Sequence, residues 1–297
     1  MSSSALAATA APLAIERQPI GLAVNAERFL QRPEGRIAYT DIGSGPLVIL
    51  VPSLGDLKEE YRFLAPRLAA AGYRAVAMDL RGQGRSSTGW PDYTCAALGS
   101  DIVALARQLN AGPATIVGTS MGAGAAAWAA AEAPQDISRL ILVGPFVRNL
   151  PIESWWKDML LKAMIRIAFA DPWAVKAWGG YYTTLYPTAK PADFDAYKAK
   201  LLANLAEPGR MAATQAMMNA SKADVQARLA RVRARTLVVM GSKDPDFGSP
   251  AGEAATVAGL LHGTFTMIDG AGHYPHAEMP EITAPVVIDF LARREAD

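Results

Sequence analysis

Short, mainly apolar runs alternate along the chain with segments that have helical spacing. Leu47–Val51 is one such run, and five consecutive apolar residues are typical of a strand buried on both faces. The other predicted strands cover residues 36–41, 73–78, 114–117, 140–143, 236–240 and 264–268. The predicted helices cover residues 59–71, 96–109, 121–132, 251–261 and 281–294. This alternation predicts right-handed crossovers and a mostly parallel α/β sheet with helices on both faces.

The strand pattern is interrupted between about Phe146 and Arg233. Helical segments dominate there, and aromatic residues are frequent: Trp155, Trp156, Trp173, Trp178, Tyr181, Tyr182 and Tyr186. We therefore predict a helical cap, or lid, at residues 147–233, inserted into one α/β core domain formed by residues 26–146 and 234–297. Residues 1–25 begin with a stretch rich in Ala and Ser and are predicted to form a flexible tail.

The charge balance disfavours some classes of partner. The 297 residues include 29 Lys and Arg against 28 Asp and Glu, so the chain lacks the basic excess that favours nucleic acids or anionic membrane surfaces. No apolar stretch approaches the ~18 residues expected of a membrane span. We expect a cytoplasmic protein. The single cysteine, Cys95, cannot form an intrachain disulfide, and the sequence leaves the oligomeric state, including a homodimer, open.

Gly118-Thr119-Ser120-Met121-Gly122 fits the pattern G-x-S-x-G and lies between an apolar strand and an Ala-rich helix. In that context the pattern holds a nucleophilic serine on a sharp strand-to-helix turn. Small residues let the strand and helix approach closely, and the helix N-terminus offers N–H groups to an oxyanion. Without the context, the same residues would describe a helix start capped by Ser120. The context favours a nucleophile.

A serine hydroxyl needs a base, and the chain offers three histidines, His262, His273 and His276. His273 follows the last predicted strand in a glycine-rich loop, which places it at the carboxyl edge of the sheet, the edge that also carries Ser120. His262 precedes that strand and is expected at the surface near the opposite edge. His276 is expected to pack against or cap the last helix. We therefore predict that His273 is the base.

An acid must orient the imidazole of that base. Asp244 and Asp246 both follow the predicted strand at residues 236–240 and open at the same sheet edge. Asp244 is nearer to the strand end, so its position is better fixed, and we prefer it over Asp246.

With these positions placed, the chain resembles the α/β-hydrolase superfamily, specifically its lidded esterase, lactonase and perhydrolase-like members. The order Ser120, Asp244, His273 is the order of that fold. Asp79–Ser86, with the sequence D-L-R-G-Q-G-R-S, resembles the family's D-x-R-G-x-G-x-S loop. The resemblance covers about residues 36–291 and implies that this loop is architectural, a turn held by glycines and an internal ion pair.

One departure from the family pattern concerns the loop after Val51. Family members commonly carry His-Gly there, whereas this chain has Pro52-Ser53-Leu54-Gly55-Asp56. The resemblance implies an oxyanion hole formed by the backbone N–H groups of Leu54 and Met121, which a change of side chain need not abolish. Ser53 or Asp56 would add polarity near the hole.

The resemblance implies hydrolysis of a carboxylic ester or lactone through an acyl-enzyme on Ser120. Serine at this position argues against the epoxide hydrolase and haloalkane dehalogenase relatives, which carry Asp there. A cofactor-free perhydrolase, a carbon–carbon bond hydrolase and a non-catalytic ligand receptor are the alternatives. No phosphate loop or metal-ligand spacing occurs, so we predict no cofactor and no metal. Four aromatic residues are predicted to line an apolar pocket for a hydrophobic acyl or aromatic group, rather than only to pack: Trp155, Trp156, Trp178 and Tyr181.

Overall fold

The computed structural model describes residues 27–149, 154–170 and 172–293, and within the helix at Trp155–Ala168 only some of the side chains. The predicted tail at residues 1–25 lies outside the described residues. The strands are β1 (Arg28–Arg32), β2 (Gly35–Ile42), β3 (Leu47–Val51), β4 (Arg74–Met78), β5 (Ala114–Thr119), β6 (Ile137–Val143), β7 (Arg235–Gly241) and β8 (Thr264–Ile268). They form one sheet of eight strands.

The sheet is mostly parallel, which confirms the predicted fold class. Its strand order is β1-β2-β4-β3-β5-β6-β7-β8, and every neighbouring pair from β4 to β8 is parallel. Both pairs that involve β2 are antiparallel. Strand β1 was not predicted, because its residues R-F-L-Q-R are mainly polar or partly exposed and only its pairing with β2 makes it a strand.

The helices are α1 (Leu64–Ala70), α2 (Cys95–Leu109), α3 (Met121–Glu132), α4 (Trp155–Ala168), α5 (Ala174–Thr184), α6 (Phe194–Leu205), α7 (Arg210–Asn219), α8 (Ala223–Gln226), α9 (Pro250–Leu260), α10 (Pro275–Glu278) and α11 (Pro280–Ala292). The predicted helix at 59–71 is instead a 3-10 turn at Lys58–Tyr61 followed by α1. Pro66 explains the break, because it has no N–H to donate to the Arg62 carbonyl.

Alternate residues of the buried strands pack into two separate hydrophobic cores. In β3, Ile49 packs into the core beneath α2, α3 and α9, while Leu50 packs into the core beneath α1 and α11. Neither residue has measurable exposure. This period of two is the reason that β3 reads as uninterrupted apolar sequence, since both of its faces are covered.

Helices α4 to α8 lie between β6 and β7, and the described residues of this stretch contain no strand. Their aromatic side chains form a third core, in which Trp178 and Tyr182 of α5 pack with Leu57 and Tyr274 from the sheet edge. Across the described ranges, no helix combines the length and hydropathy that a membrane span requires.

The carboxyl ends of the parallel strands meet at one edge of the sheet. The register pairs are Val51 with Gly118, Thr119 with Val143, Val143 with Val239, and Gly241 with Ile268. The loops that carry Ser120, Asp244 and His273 therefore leave the same sheet edge after β5, β7 and β8, which lie within four adjacent strands of the sheet. A chemical site at this edge follows directly from the topology.

We predict that Gly122→Ala disturbs this edge. An added Cβ at Gly122 would lie 2.5 Å from the carbonyl oxygens of both Val51 and Pro52, so α3 or the end of β3 must move. We expect the free energy of unfolding to fall by roughly 1–3 kcal/mol, the usual cost of overpacking, measured by urea titration. Gly259→Ala in α9 is the matched control, because a Cβ there meets no atom within 4 Å. Equal stability of the two variants would contradict the prediction.

Candidate active site

Ser120 occupies a strained turn between β5 and α3. Its φ of 55° and ψ of −115° lie in a region that residues other than glycine rarely adopt. Its N–H donates to the Val143 carbonyl at 2.9 Å, and its own carbonyl accepts from the N–H groups of Ala123 at 3.1 Å and Phe146 at 3.3 Å. These bonds hold the strained backbone in place. The side chain is therefore presented in the conformation expected of a nucleophile elbow.

The start of α3, next to Ser120, packs against the loop that follows β3. The close approach of Gly122 to Pro52 brings the start of α3 against the loop Pro52–Asp56, hereafter the oxyanion loop. Within the described residues, the N–H groups of Leu54 and Met121 donate no hydrogen bond, whereas the N–H of Ser53 is bonded to Glu60. Leu54 and Met121 are the two donors that the family resemblance implied. Both are available to an oxyanion.

His273 and Asp244 form a buried hydrogen-bonded pair. Nδ1 of His273 lies 2.8 Å from Oδ2 of Asp244, and both side chains are almost completely buried. Gly144 packs against this pair, since a Cβ there would lie 3.0 Å from Nδ1 and 3.1 Å from Oδ2. The segment that contains Gly144 is also the one hydrogen-bonded to Ser120. The structure thus gathers the three predicted residues around one short segment after β6.

The environment of His273 favours its protonated form. Burial lowers the pKa of the imidazole, but the carboxylates of Asp244 and Asp246 outweigh this effect and raise the pKa to about 9. An imidazole with a raised pKa binds the proton taken from Ser120 strongly, and the carboxylate of Asp244 stabilises the resulting imidazolium.

Asp246 is the weaker alternative for the acid. Its Oδ2 lies 3.6 Å from Nδ1 of His273, and its carboxylate accepts a hydrogen bond of 2.8 Å from the Tyr181 hydroxyl. The pKa of Asp246 is raised, first by burial and then by the charge of Asp244, although His273 opposes the shift. Asp244 has the shorter contact with the imidazole, so the geometry favours it as the orienting acid.

Asp244, Asp246 and His273 are also the one group of residues in the described part of the chain whose spacing could hold a metal ion. One ligand atom from each of Asp244, Asp246 and His273 lies within 4.8 Å of the other two. Nδ1 of His273 already contacts Asp244 in a hydrogen bond, which accounts for the close spacing without an ion. The donor set therefore fits an acid–base pair better than a metal centre.

The four predicted pocket residues have different surroundings. Trp178 is buried, its indole lies against Gly55 of the oxyanion loop, and its Nε1 has no hydrogen-bond partner among the described residues. Tyr181 contacts the Trp178 ring edge-on at 5.3 Å and binds Asp246. Trp156 is 52% exposed, and the side chain of Trp155 lies outside the described part. Trp178 and Tyr181 thus lie near the site, whereas Trp156 faces outward.

The other two histidines differ in depth. His262 is exposed between α9 and the amino end of β8, where it was expected. His276 packs as expected, but it does so at the sheet edge, fully buried against Glu60, with Nε2 3.0 Å from Oε1. Sequence reasoning missed Glu60, because a glutamate in the predicted amphipathic helix at 59–71 reads as a solvated residue.

The internal ion pair expected in the Asp79–Ser86 loop is wrong, because the charged side chains of this loop pair with residues outside it. Asp79 pairs with Lys58 at 2.9 Å, and Arg81 pairs with Asp101 at 2.8 Å. The carboxyl of Asp79 also accepts the N–H of Arg85, and at Gly84 an added Cβ would collide with it. This glycine is required because the loop wraps directly around a buried carboxylate.

The sequence model of the alpha/beta hydrolase family matches residues 48–286, and the chain belongs to this family. The 3-oxoadipate enol-lactonase 2 of Acinetobacter baylyi is 26% identical over 209 residues, which cover 70% of this chain and 75% of the relative. The 2-(acetamidomethylene)succinate hydrolase of Mesorhizobium japonicum is 26% identical over 272 residues, which cover 86% of this chain and 92% of the relative.

Solved structures share the fold. A bromoperoxidase from Bacillus anthracis superimposes with a TM-score of 0.77 at 21% identity, and the match covers 90% of this chain and 100% of that one. Of the two curated relatives, one is named as an enol-lactonase and the other as a hydrolase. A hydrolase acting on a small molecule is the class that these findings support.

We predict that Asp246→Asn shifts the pH dependence of activity. His273 must be neutral to accept a proton, so kcat/KM rises with pH through its pKa. Removing the Asp246 charge takes away one of the three carboxylates that raise this pKa, those of Asp244, Asp246 and Glu60, so the rising limb moves to lower pH while activity is retained. Asp269→Asn, an exposed change at the same sheet edge, is the control. An unchanged limb in Asp246→Asn would contradict the prediction.

Proposed function

We propose that this chain is a serine hydrolase that cleaves a carboxylic ester or lactone through an acyl-enzyme intermediate. The observation that carries the proposal is the His273–Asp244 hydrogen bond of 2.8 Å. It packs on Gly144, in the segment whose backbone is hydrogen-bonded to Ser120, a serine with a strained backbone at a strand-to-helix turn. An orienting acid, a base and a nucleophile in that series are the requirements of acyl transfer. The relative named as an enol-lactonase supports the lactone arm of the proposal.

The reaction has two halves. Ser120 Oγ attacks the carbonyl carbon as His273 takes its proton, and the oxyanion receives hydrogen bonds from the N–H groups of Leu54 and Met121. The tetrahedral intermediate collapses, His273 gives the proton to the leaving alcohol or ring oxygen, and the acyl group stays on Ser120. Water then attacks the acyl-enzyme with His273 again acting as base, which releases the acid and restores the serine.

The helices between β6 and β7 are proposed to cap the site and to select its substrate. Phe169, Trp178 and Tyr181 pack edge to face, with ring centroids 5.3–6.2 Å apart, next to the oxyanion loop. Such a wall favours a hydrophobic acyl or aromatic group. The buried indole N–H of Trp178 has no partner among the described residues, and a substrate acceptor atom would supply one.

We predict that Ser120→Ala abolishes hydrolysis of p-nitrophenyl esters and lactones. The expected loss in kcat is on the order of 10⁵- to 10⁶-fold, because the nucleophile itself is removed. A fluorophosphonate should label the native chain at Ser120, shown by peptide mapping, and should not label the variant. Ser138→Ala, an exposed change in β6, should retain both properties. Ester hydrolysis that survives in Ser120→Ala would refute the serine mechanism.

We further predict that Trp178→Phe changes substrate preference. Phenylalanine keeps an aromatic ring but removes the N–H, so esters whose acyl group carries a second carbonyl or carboxylate should lose about 10-fold in kcat/KM, as for one hydrogen bond. Simple alkyl esters of the same length should change less. Measuring both substrate series on Phe169→Tyr controls for altered ring packing. Equal losses on both series would assign Trp178 to packing alone.

A further inference from the structure

A second carboxylate–imidazole pair lies directly beneath the oxyanion loop. Glu60, in the 3-10 turn after that loop, and His276, in α10, are each 1% exposed. Oε1 of Glu60 and Nε2 of His276 are 3.0 Å apart. The serine mechanism described above makes no use of either residue.

Glu60 fixes the backbone next to the proposed oxyanion donor. Its Oε2 accepts the N–H of Ser53 at 2.8 Å, one residue before Leu54. The hydroxyl of Ser53 is bound in turn to the hydroxyl of Tyr274 at 2.6 Å. Ser53 is therefore held through both its backbone and its side chain. The carbonyl of Ser53, which shares a peptide plane with the Leu54 N–H, accepts the N–H of Asp56 at 3.4 Å, so the orientation of the Leu54 N–H is restrained as well.

Glu60 and Ser53 are bound by Tyr274 and His276, which lie on the segment that carries His273. Tyr274 and His276 follow His273 by one and three residues, and the ring of Tyr274 meets that of His273 edge-on at 5.2 Å. Tyr61 stacks on His276 at 4.9 Å, and its hydroxyl lies 2.7 Å from Oγ1 of Thr119, the residue before Ser120. Through these contacts, Glu60, Tyr61, Tyr274 and His276 connect the oxyanion loop with His273 and with the turn at Ser120.

Glu60 and His276 are also the main polar neighbours of each other. Oε1 of Glu60 and both ring nitrogens of His276 have no well-directed hydrogen bond within the described residues, so each group has the other as its close polar neighbour. Asp56, the other buried acid here, keeps its proton at neutral pH, because burial and then the charge of Glu60 raise its pKa to about 8. Removing one member of such a pair leaves the other buried without compensation.

We infer that Glu60 and His276 are positioning residues that hold the Leu54 N–H where the oxyanion forms and couple the oxyanion loop to the His273 segment. This inference rests on the proposed serine hydrolase function. Neither residue is assigned contact with the substrate. Their effect is exerted through Ser53, whose N–H and hydroxyl are both bound.

Glu60→Gln keeps the volume of the side chain but leaves one acceptor oxygen, which cannot serve both the Ser53 N–H and His276. A misplaced donor weakens transition-state binding more than substrate binding, so kcat should fall about 10- to 100-fold, less than the loss of a whole donor, while KM changes little. The inhibition constant of an alkyl trifluoromethyl ketone, which forms an oxyanion on Ser120, should rise by the same factor as kcat/KM falls. Glu59→Gln, next in the same turn and paired with Lys200 outside the cluster, is the matched control.

His276→Gln supplies an independent test, and the double variant completes a cycle. Because the two groups compensate each other, the loss in the double variant should be smaller than the product of the single losses. Fluorophosphonate titration counts functional sites, so every kcat refers to folded protein. If Glu60→Gln and His276→Gln match Glu59→Gln in kcat and in ketone affinity per titrated site, the inference is overturned.

The wild-type chain separates failure of this inference from failure of the proposed function. If wild type hydrolyses no ester and Ser120 resists the fluorophosphonate, the serine mechanism itself is lost, and the positioning role with it. If Ser120 is labelled but esters are not cleaved, the rate of fluorophosphonate labelling is compared between the variants instead of kcat. Phosphonylation uses the same oxyanion donors as ester hydrolysis. A rate in Glu60→Gln equal to that in Glu59→Gln would then overturn the inference.

Discussion

The close contact between the start of α3 and the end of β3 is the constraint around which the sheet edge is organised. Gly122 leaves no room for a side chain against the carbonyls of Val51 and Pro52. This contact lets the turn at Ser120 close sharply, at a positive φ that the bonds to Val143 and Phe146 maintain. It also sets the oxyanion loop beside the N-terminus of α3. Strain in one residue is thus supported by a rigid, close-packed neighbourhood.

Polar groups at this edge are buried to an unusual degree for a surface of loops. Asp244, His273, Glu60, His276 and Asp56 are nearly or wholly inaccessible, although charged residues are mostly exposed in proteins. Their burial raises the pKa of Asp56 and gives the carboxylates near His273 a large effect on its pKa. A site without much water makes such interactions strong, which suits the stabilisation of a developing oxyanion.

Much of the fold could be predicted from local sequence. The limits of β3, α3 and β8 are those expected from their apolar runs and from the flanking small residues. Strand β1 and the break before α1 could not be predicted from hydrophobic periodicity. The first depends on pairing with β2, and the second on the missing N–H of Pro66.

The sequence by itself determined the sheet architecture and nominated Ser120, Asp244 and His273, because a strand-to-helix turn and loops that follow parallel strands have known positions relative to one sheet edge. Only the tertiary structure distinguished Asp244 from Asp246 by their distances to Nδ1, and only it placed Glu60 and His276 together. Those relations join residues that are 27 or more positions apart in the chain. No local pattern encodes them, since they arise from how separate loops pack against each other.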